Sequence, residues 1–303
     1  MGTTDDMTLS TAVAEYVKHL ICSAPVTPSY RAALEAALAL PGNILSDAPN
    51  TRWARPVWMC CTVAGGHLAQ AVPVGAVLEI FMVALDVLDD VEDDEETPLR
   101  ADLGSARALN ASTGLLFLAQ QGLLNTSVGL EAGTILLHAA LQSCSGQHAD
   151  LDSQPPQLRT LETALAVAAG KSASLVAVAC RLGALAAAAD STTQQLYAQL
   201  GWYIGMMAQL INDIKAVHPN ATAKTDIVLS RPTLPLAYAD VHVLPKIHTD
   251  DATTRMRLWT GGAAYLTWAV ADVYRRHALG LISGLTVDSG SRKRLATLLP
   301  ILS

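Results

Sequence analysis

Two phenylalanines in 303 residues, charged side chains at only 16%, and cysteines without a C-x-x-C pair set the first limits on this chain. The five cysteines (Cys22, Cys60, Cys61, Cys144, Cys180) are odd in number and lie in apolar, helix-patterned surroundings. That excludes a disulfide framework or a zinc site and points to reduced structural thiols. Cations are scarce too: 20 Lys and Arg against 27 Asp and Glu leave a net charge of −7. Without a basic stripe to displace counterions, no nucleic-acid partner is expected. Met1 to Ser10 holds Asp5 and Asp6 but no Lys or Arg, so the basic n-region of a signal peptide and the arginines of a transit peptide are missing and a cytoplasmic location is expected. The longest apolar stretch, Ala71 to Leu85, has 15 residues and includes Glu79. It falls short of the ~20 residues that span a bilayer, so a buried core helix is expected and no transmembrane segment.

What is present is helical periodicity. Apolar residues recur at helix spacing in Leu115, Leu116, Leu118, Ala119 and Leu123, and again in Leu196, Leu200, Ile204, Met207, Leu210 and Ile211. Strand alternation of useful length is lacking. Clusters of Pro, Gly, Asn, Ser and Asp break the pattern at 25–28, 41–50, 95–104, 153–156, 219–225, 232–235 and 287–291. They divide the chain into roughly ten helices with short connections, and the expected architecture is all-α: a single large helical bundle over residues 1–303. An alanine-rich run from Ala164 to Ala189 would let neighbouring helices approach closely.

Two polar constellations interrupt this apolar background. Asp89-Asp90-Val91-Glu92-Asp93-Asp94-Glu95 places six acids in seven residues directly after the most apolar helix. Helical spacing puts Asp89 and Asp93 on one face with Asp90 and Asp94 a step around, where they repel one another and oppose the helix dipole. The run reads either as a solvated helix end or as a face neutralised by a hard cation, for which Mg²⁺ is the natural candidate. The second constellation is Gln209, Asn212 and Asp213, polar at i, i+3 and i+4 of an otherwise apolar helix and expected on its core side. It reads as a satisfied hydrogen-bond cluster or as the other wall of a metal-bridged diphosphate site. Gly170-Lys171-Ser172 ends like a P-loop, but Leu165 stands where the loop needs glycine, so a nucleotide site is rejected. Arg52, Arg55, Lys224 and Arg231, beside breaks, could hold phosphate oxygens.

In order and spacing these segments resemble the trans-isoprenyl diphosphate synthase family from about Arg52 to Ala239. Asp89, Asp90 and Asp93 resemble its first aspartate-rich motif; Asn110-Ala111 resembles a stretch on the next helix, and Gly146-Gln147-His148-Ala149-Asp150 its G-Q-x-x-D. Lys171-Ser172 with Gly183-Ala184 resembles its K-T…G-A helix. Gly205, Gln209, Asn212 and Asp213 resemble the second aspartate-rich motif, while Lys224-Thr225-Asp226 and Arg231-Pro232-Thr233-Leu234-Pro235 resemble the late phosphate loop. The resemblance implies three Mg²⁺ ions, with Asp89, Asp93, Asp213 and Asn212 as ligands and Asp90 alongside them. It implies an allylic diphosphate held by Lys171, Ser172, Gln209, Lys224 and Arg231, and a homodimer whose interface includes 106–123.

Departures from the family pattern fall unevenly. The allylic half is nearly intact, whereas in the half that binds isopentenyl diphosphate Met82 stands where the family has histidine, and Arg100 is followed by Ala101 instead of a second arginine. Arg52 and Arg55 remain as a variant of the first phosphate loop. Asn212 and Ala216 replace aspartates of the second motif, and Ala208 replaces a phenylalanine, which widens the pocket. Phe81, Met82, Leu85 and Ala208 are expected along the cavity wall. The expected activity is therefore Mg²⁺-dependent ionisation of a C15–C20 allylic diphosphate followed by cyclisation, as in a class I terpene synthase built on this fold. The alternative is a prenyltransferase that condenses isopentenyl diphosphate with an allylic diphosphate, and a third reading is a non-catalytic partner subunit.

Overall fold

A computed structural model describes residues 4–152, 160–221, 231, 233–241 and 252–300. Among these residues the chain forms fourteen α-helices, one π-helical turn and no strand: α1 Thr4–Ser23, α2 Pro28–Leu38, α3 Ala54–Val63, α4 Leu68–Glu92, α5 Pro98–Leu103, α6 Ser105–Leu124, α7 Gly129–Leu151, α8 Leu161–Ala168, the π turn Ala169–Ala173, α9 Ser174–Ala186, α10 Ser191–Ala216, α11 Leu234–Val241, α12 Ala252–Thr260, α13 Ala263–Gly284 and α14 Ser289–Ala296. The all-α expectation holds; the count of roughly ten helices was too low. Four breaks among the described residues were missed, at Gly65–Gly66, at 125–128, at 187–190 and at Gly261–Gly262, while the stretch 95–104 expected as a loop contains α5. There Thr97 Oγ1 accepts from Arg100 N–H at 3.3 Å and Pro98 occupies the first turn, so a cap and a proline start a short helix inside a turn-rich stretch.

The chain packs as two compact units, one of Met1–Ile135 with Ala179–Gln194 and one of Leu136–Val178 with Gln195–Ser303. In the first unit α4 is the central helix, buried along Ala71, Val74, Val77, Leu78, Ile80, Phe81 and Met82. Each large apolar side chain buried there contributes roughly 1.5–3 kcal/mol. Small residues let helices close in: a Cβ at Gly122 would lie 2.9 Å from Leu20 Cδ1 and 3.0 Å from Val77 Cγ2. α4, at 25 residues, and the stretch Leu161–Ala186 are long and apolar enough to cross a membrane, which corrects the judgement made from the 15-residue run; 72% of the α4 window is buried inside the protein, as a core helix requires.

In the second unit Ala164, Leu210, Leu234, Ala237 and Ala271 form one cluster, and Ala168, Ala173 and Met206 pack with Trp202 and Tyr274 in another. The alanine-rich run acts as its composition suggested: a Cβ at Gly205 of α10 would sit 2.6 Å from the Ala173 Cα, so the two backbones are nearly in contact. All five cysteines are free; Cys60, Cys61 and Cys180 are buried, but Cys22 and Cys144 are exposed on α1 and α7 rather than packed in a core.

Candidate active site

In the first unit the acidic run is the C-terminus of α4. The helix ends at Glu92, and the Asp93 N–H, at the cap, donates to Asp89 O and Val91 O. Asp94 then takes a positive φ of 54°, which turns the chain away. Arg100 holds this turn. Its Nη1 donates to the carbonyls of Asp90 (3.4 Å) and Glu95, its Nη2 to Asp94 Oδ1 at 2.8 Å and to Ser105 Oγ at 3.1 Å, and its Nε to Ser105 Oγ at 3.2 Å. The arginine expected to bind substrate thus directs its donors into the acidic turn. Burial, together with the neighbouring Glu95 and Asp89 carboxylates, raises the Asp90 pKa, against the opposing pull of Arg100. Crowded carboxylates of this kind are relieved by protonation or by a cation.

Arg52 is exposed, its guanidinium 5.5 Å from the centre of the Trp53 ring, and Arg55 Nε lies 3.7 Å from Asp6 Oδ1. Phe81 and Met82 are buried and Leu85 half-buried on α4. One residue of this unit was noticed in the sequence without a role: Glu79. Buried within α4, its Oε1 accepts from the backbone N–H groups of Trp53 and Ala54 at 2.8 and 2.7 Å. Burial pushes its pKa up to about 7, against those two hydrogen bonds and the Arg52 charge.

In the second unit a chain of hydrogen bonds links the expected residues. Ser172 Oγ donates to Gln209 Oε1 at 2.5 Å, Gln209 Nε2 donates to Asp213 Oδ1 at 2.9 Å, and the Leu234 N–H donates to Asp213 Oδ2 at 3.3 Å. Gln209 is half-buried and Asp213 buried, but Asn212 is exposed; the expectation that all three lie on the core side is corrected, because at 100° per residue Asn212 is rotated away from Asp213. Ala208 is half-buried.

Lys171 and Ser172 lie in the π turn and not in a regular helix. A glycine contact lies beside it: a Cβ at Gly146 would meet Lys171 N at 2.7 Å and the Gly170 carbonyl carbon at 2.8 Å, so α7 presses against the turn backbone to backbone. One helical turn beyond Gly146, Asp150 Oδ2 accepts from Lys171 Nζ at 3.2 Å, and Arg231 Nη1 lies 3.8 Å from the same oxygen. Lys171 is thus paired with Asp150, a residue quoted for its motif but not assigned to the site. Lys224 lies outside the described residues.

No three acidic, histidine or cysteine side chains converge into a metal cage among the described residues. That does not count against Mg²⁺, which binds through one or two carboxylates and completes its shell with water and substrate phosphate.

The scaffold is thus all-α and apolar, with an aspartate-rich helix end in one unit and a lysine–serine–glutamine–aspartate group in the other. The chain belongs to the polyprenyl synthetase family, whose model matches residues 51–248. It is 29% identical over 251 residues to the geranylgeranyl diphosphate synthase of Mycobacterium tuberculosis, covering 75% of this chain and 67% of that protein. It is 28% identical over 152 residues to the tryptophan prenyltransferase ComQ of Bacillus spizizenii, covering 50% of this chain and 53% of that one. The chain thus spans about half to two thirds of the length of these relatives. Among solved structures, the geranylgeranyl pyrophosphate synthetase of the archaeon Geoglobus acetivorans has the same fold, with a TM-score of 0.84 over 98% of both chains at 17% identity.

Proposed function

We propose that this protein is a prenyltransferase that ionises an allylic diphosphate of the C15–C20 class and joins the resulting cation to isopentenyl diphosphate. The observation that carries the reading is the Ser172–Gln209–Asp213 chain together with the Lys171–Asp150 pair: polar and cationic groups set among apolar helices, the chemistry that a diphosphate head calls for. Transfer is favoured over cyclisation because both curated relatives described above carry names of enzymes that transfer prenyl groups.

Asp89, Asp90 and Asp93 in the first unit, and separately Asp213 in the second, would offer oxygens to Mg²⁺, which when bound neutralises the departing diphosphate. Lys171 and Gln209 orient the phosphate oxygens and stabilise the charge that develops as the C–O bond breaks. Arg52 and Arg55 hold the second diphosphate so that its alkene attacks the allylic carbon; a C–C bond forms and one proton leaves. Apolar side chains such as Phe81 and Leu85 keep water from the cation. Homodimerisation belongs to the same proposal, and the exposed Leu109, Phe117 and Leu124 of α6 support it.

Cyclisation keeps one specific support. Met82 is buried at the position where the family carries histidine, and Arg100 is engaged in its own turn, so the second diphosphate has fewer ligands. The two readings separate when protein and Mg²⁺ are incubated with geranyl, farnesyl and geranylgeranyl diphosphates, with and without isopentenyl diphosphate, and the products are identified by mass spectrometry against an Asp89→Ala blank. Longer prenyl alcohols after phosphatase treatment, formed only with isopentenyl diphosphate, are the expected result; a hydrocarbon formed without it would establish cyclisation instead.

A further inference from the structure

Helix α3 begins without a cap of its own. Its N-cap residue is Trp53, which has no side-chain oxygen and makes no capping bond. The first N–H groups of a helix need an acceptor, and leaving them unmet in a buried place is costly. Here the acceptor comes from another helix: the Glu79 carboxylate of α4 takes both the Trp53 and Ala54 N–H groups on one oxygen. The neighbouring turn of α4 makes that reach possible. Gly75, four residues before Glu79, faces Ala54 so closely that a Cβ would lie 2.8 Å from the Ala54 Cβ and 3.1 Å from its Cα. Gly75 and Glu79 together therefore fix the start of α3 against α4.

That start is flanked by Arg52 and Arg55. We infer that Glu79 is a positioning residue for the second substrate: by capping α3 from α4, with Gly75 admitting the close approach, it sets where Arg52 and Arg55 present their guanidinium groups to a diphosphate. The inference rests on the reading in which these two arginines receive isopentenyl diphosphate. The side chain reaches both N–H groups with one oxygen, which can accept them whether or not the acid is ionised. The charged groups acting on it are Arg52, which favours the carboxylate, and Asp86 of α4, which opposes it. A glutamine could make the same two bonds through its carbonyl oxygen, whereas an alanine could make neither.

The experiment measures isopentenyl diphosphate twice, as binding by titration calorimetry and as KM in turnover, for the wild type and for Glu79→Ala, Glu79→Gln and Gly75→Ala. Loss of the cap in Glu79→Ala should weaken isopentenyl diphosphate binding by about tenfold, with the KM of the allylic substrate changed by less than about twofold. Glu79→Gln should restore most of the affinity, and Gly75→Ala, which pushes α3 away while leaving Glu79 in place, should also weaken it. If Glu79→Ala fails to fold, the comparison of Glu79→Gln with Gly75→Ala still decides. Unchanged binding in either weakened variant, or an equal loss for both substrates, overturns the inference. A wild type that binds isopentenyl diphosphate without consuming it, with the variants weakened as described, overturns the proposed reaction and keeps the inference; a wild type that does not bind it overturns both.

Discussion

Lys171 Nζ lies 3.2 Å from Asp150 Oδ2, and the two reach each other because Gly146, one turn before Asp150, lets α7 touch the π turn that carries the lysine. The residues of the G-Q-x-x-D segment thus act on the lysine from both ends, glycine by proximity and aspartate by charge. π turns inserted between α-helices recur at functional sites, and this one aims two of the site's polar side chains.

Lys171→Ala should lower kcat/KM for the allylic diphosphate by about 10²–10³, the usual cost of removing one group that stabilises developing charge. Asp150→Asn should have a different signature: Lys171 and Arg231 lose their shared counter-charge, so the allylic KM changes while kcat falls less. Steady-state kinetics with each substrate varied in turn separates the two. Equal effects of both variants on kcat would show that Asp150 does more than hold the lysine.

Gly146→Ala inserts a methyl group against backbone atoms at 2.7 and 2.8 Å, which cannot give way as a side-chain tip can. A destabilisation of about 1–3 kcal/mol is expected. It should come with a weaker allylic diphosphate affinity, read by thermal unfolding and by KM. A loss of stability without any change in KM would mean that the π turn is not what orients Lys171 and Ser172.

Arg100→Ala removes the guanidinium that ties the carbonyls of Asp90 and Glu95 to Asp94 and Ser105. If its work is to shape the acidic turn, the Mg²⁺ concentration needed for half-maximal activity should rise several-fold. The KM for isopentenyl diphosphate should change little. The opposite pattern would assign Arg100 to the second diphosphate.

Glu79 makes stability depend on pH in a stated direction. Its folded pKa of about 7 lies above the ordinary 4.5, so the folded state binds the proton more tightly. Its contribution is complete below about pH 4.5 and is lost as pH rises through 7, to the extent of about 3 kcal/mol. Glu79→Gln carries no such charge. Relative to the wild type, its urea midpoint should therefore improve between pH 5 and pH 8.5. A constant difference between the two proteins across that range would mean that Glu79 titrates normally.

Much of the fold could be read from the sequence, because apolar periodicity reports helices wherever they are long. α4, α6 and α10 announce themselves through Leu78, Leu115 and Leu210. Most of the missed boundaries share a backbone feature. At Gly65, the first of a glycine pair, a positive φ follows the end of a helix, and Ala188 does the same with φ 57° and no glycine at all. The candidate site was legible at Asp89, Lys171, Gln209 and Asp213, where polar residues break an apolar pattern. Glu79 gave the same signal, but its partners are backbone N–H groups 25 and 26 residues earlier in the chain, which no local spacing reveals. Asp150 was hidden for a similar reason: its role depends on a π turn that propensity does not encode.

The central claim is that the allylic cation is captured by a second diphosphate substrate, and the most direct test counts diphosphate. With farnesyl diphosphate and Mg²⁺ supplied, release of inorganic diphosphate should be slow alone and should accelerate as isopentenyl diphosphate is added, one diphosphate appearing for each isopentenyl unit consumed. Release at the same rate whether or not isopentenyl diphosphate is present would contradict the account, and would show that the cation reacts within its own chain.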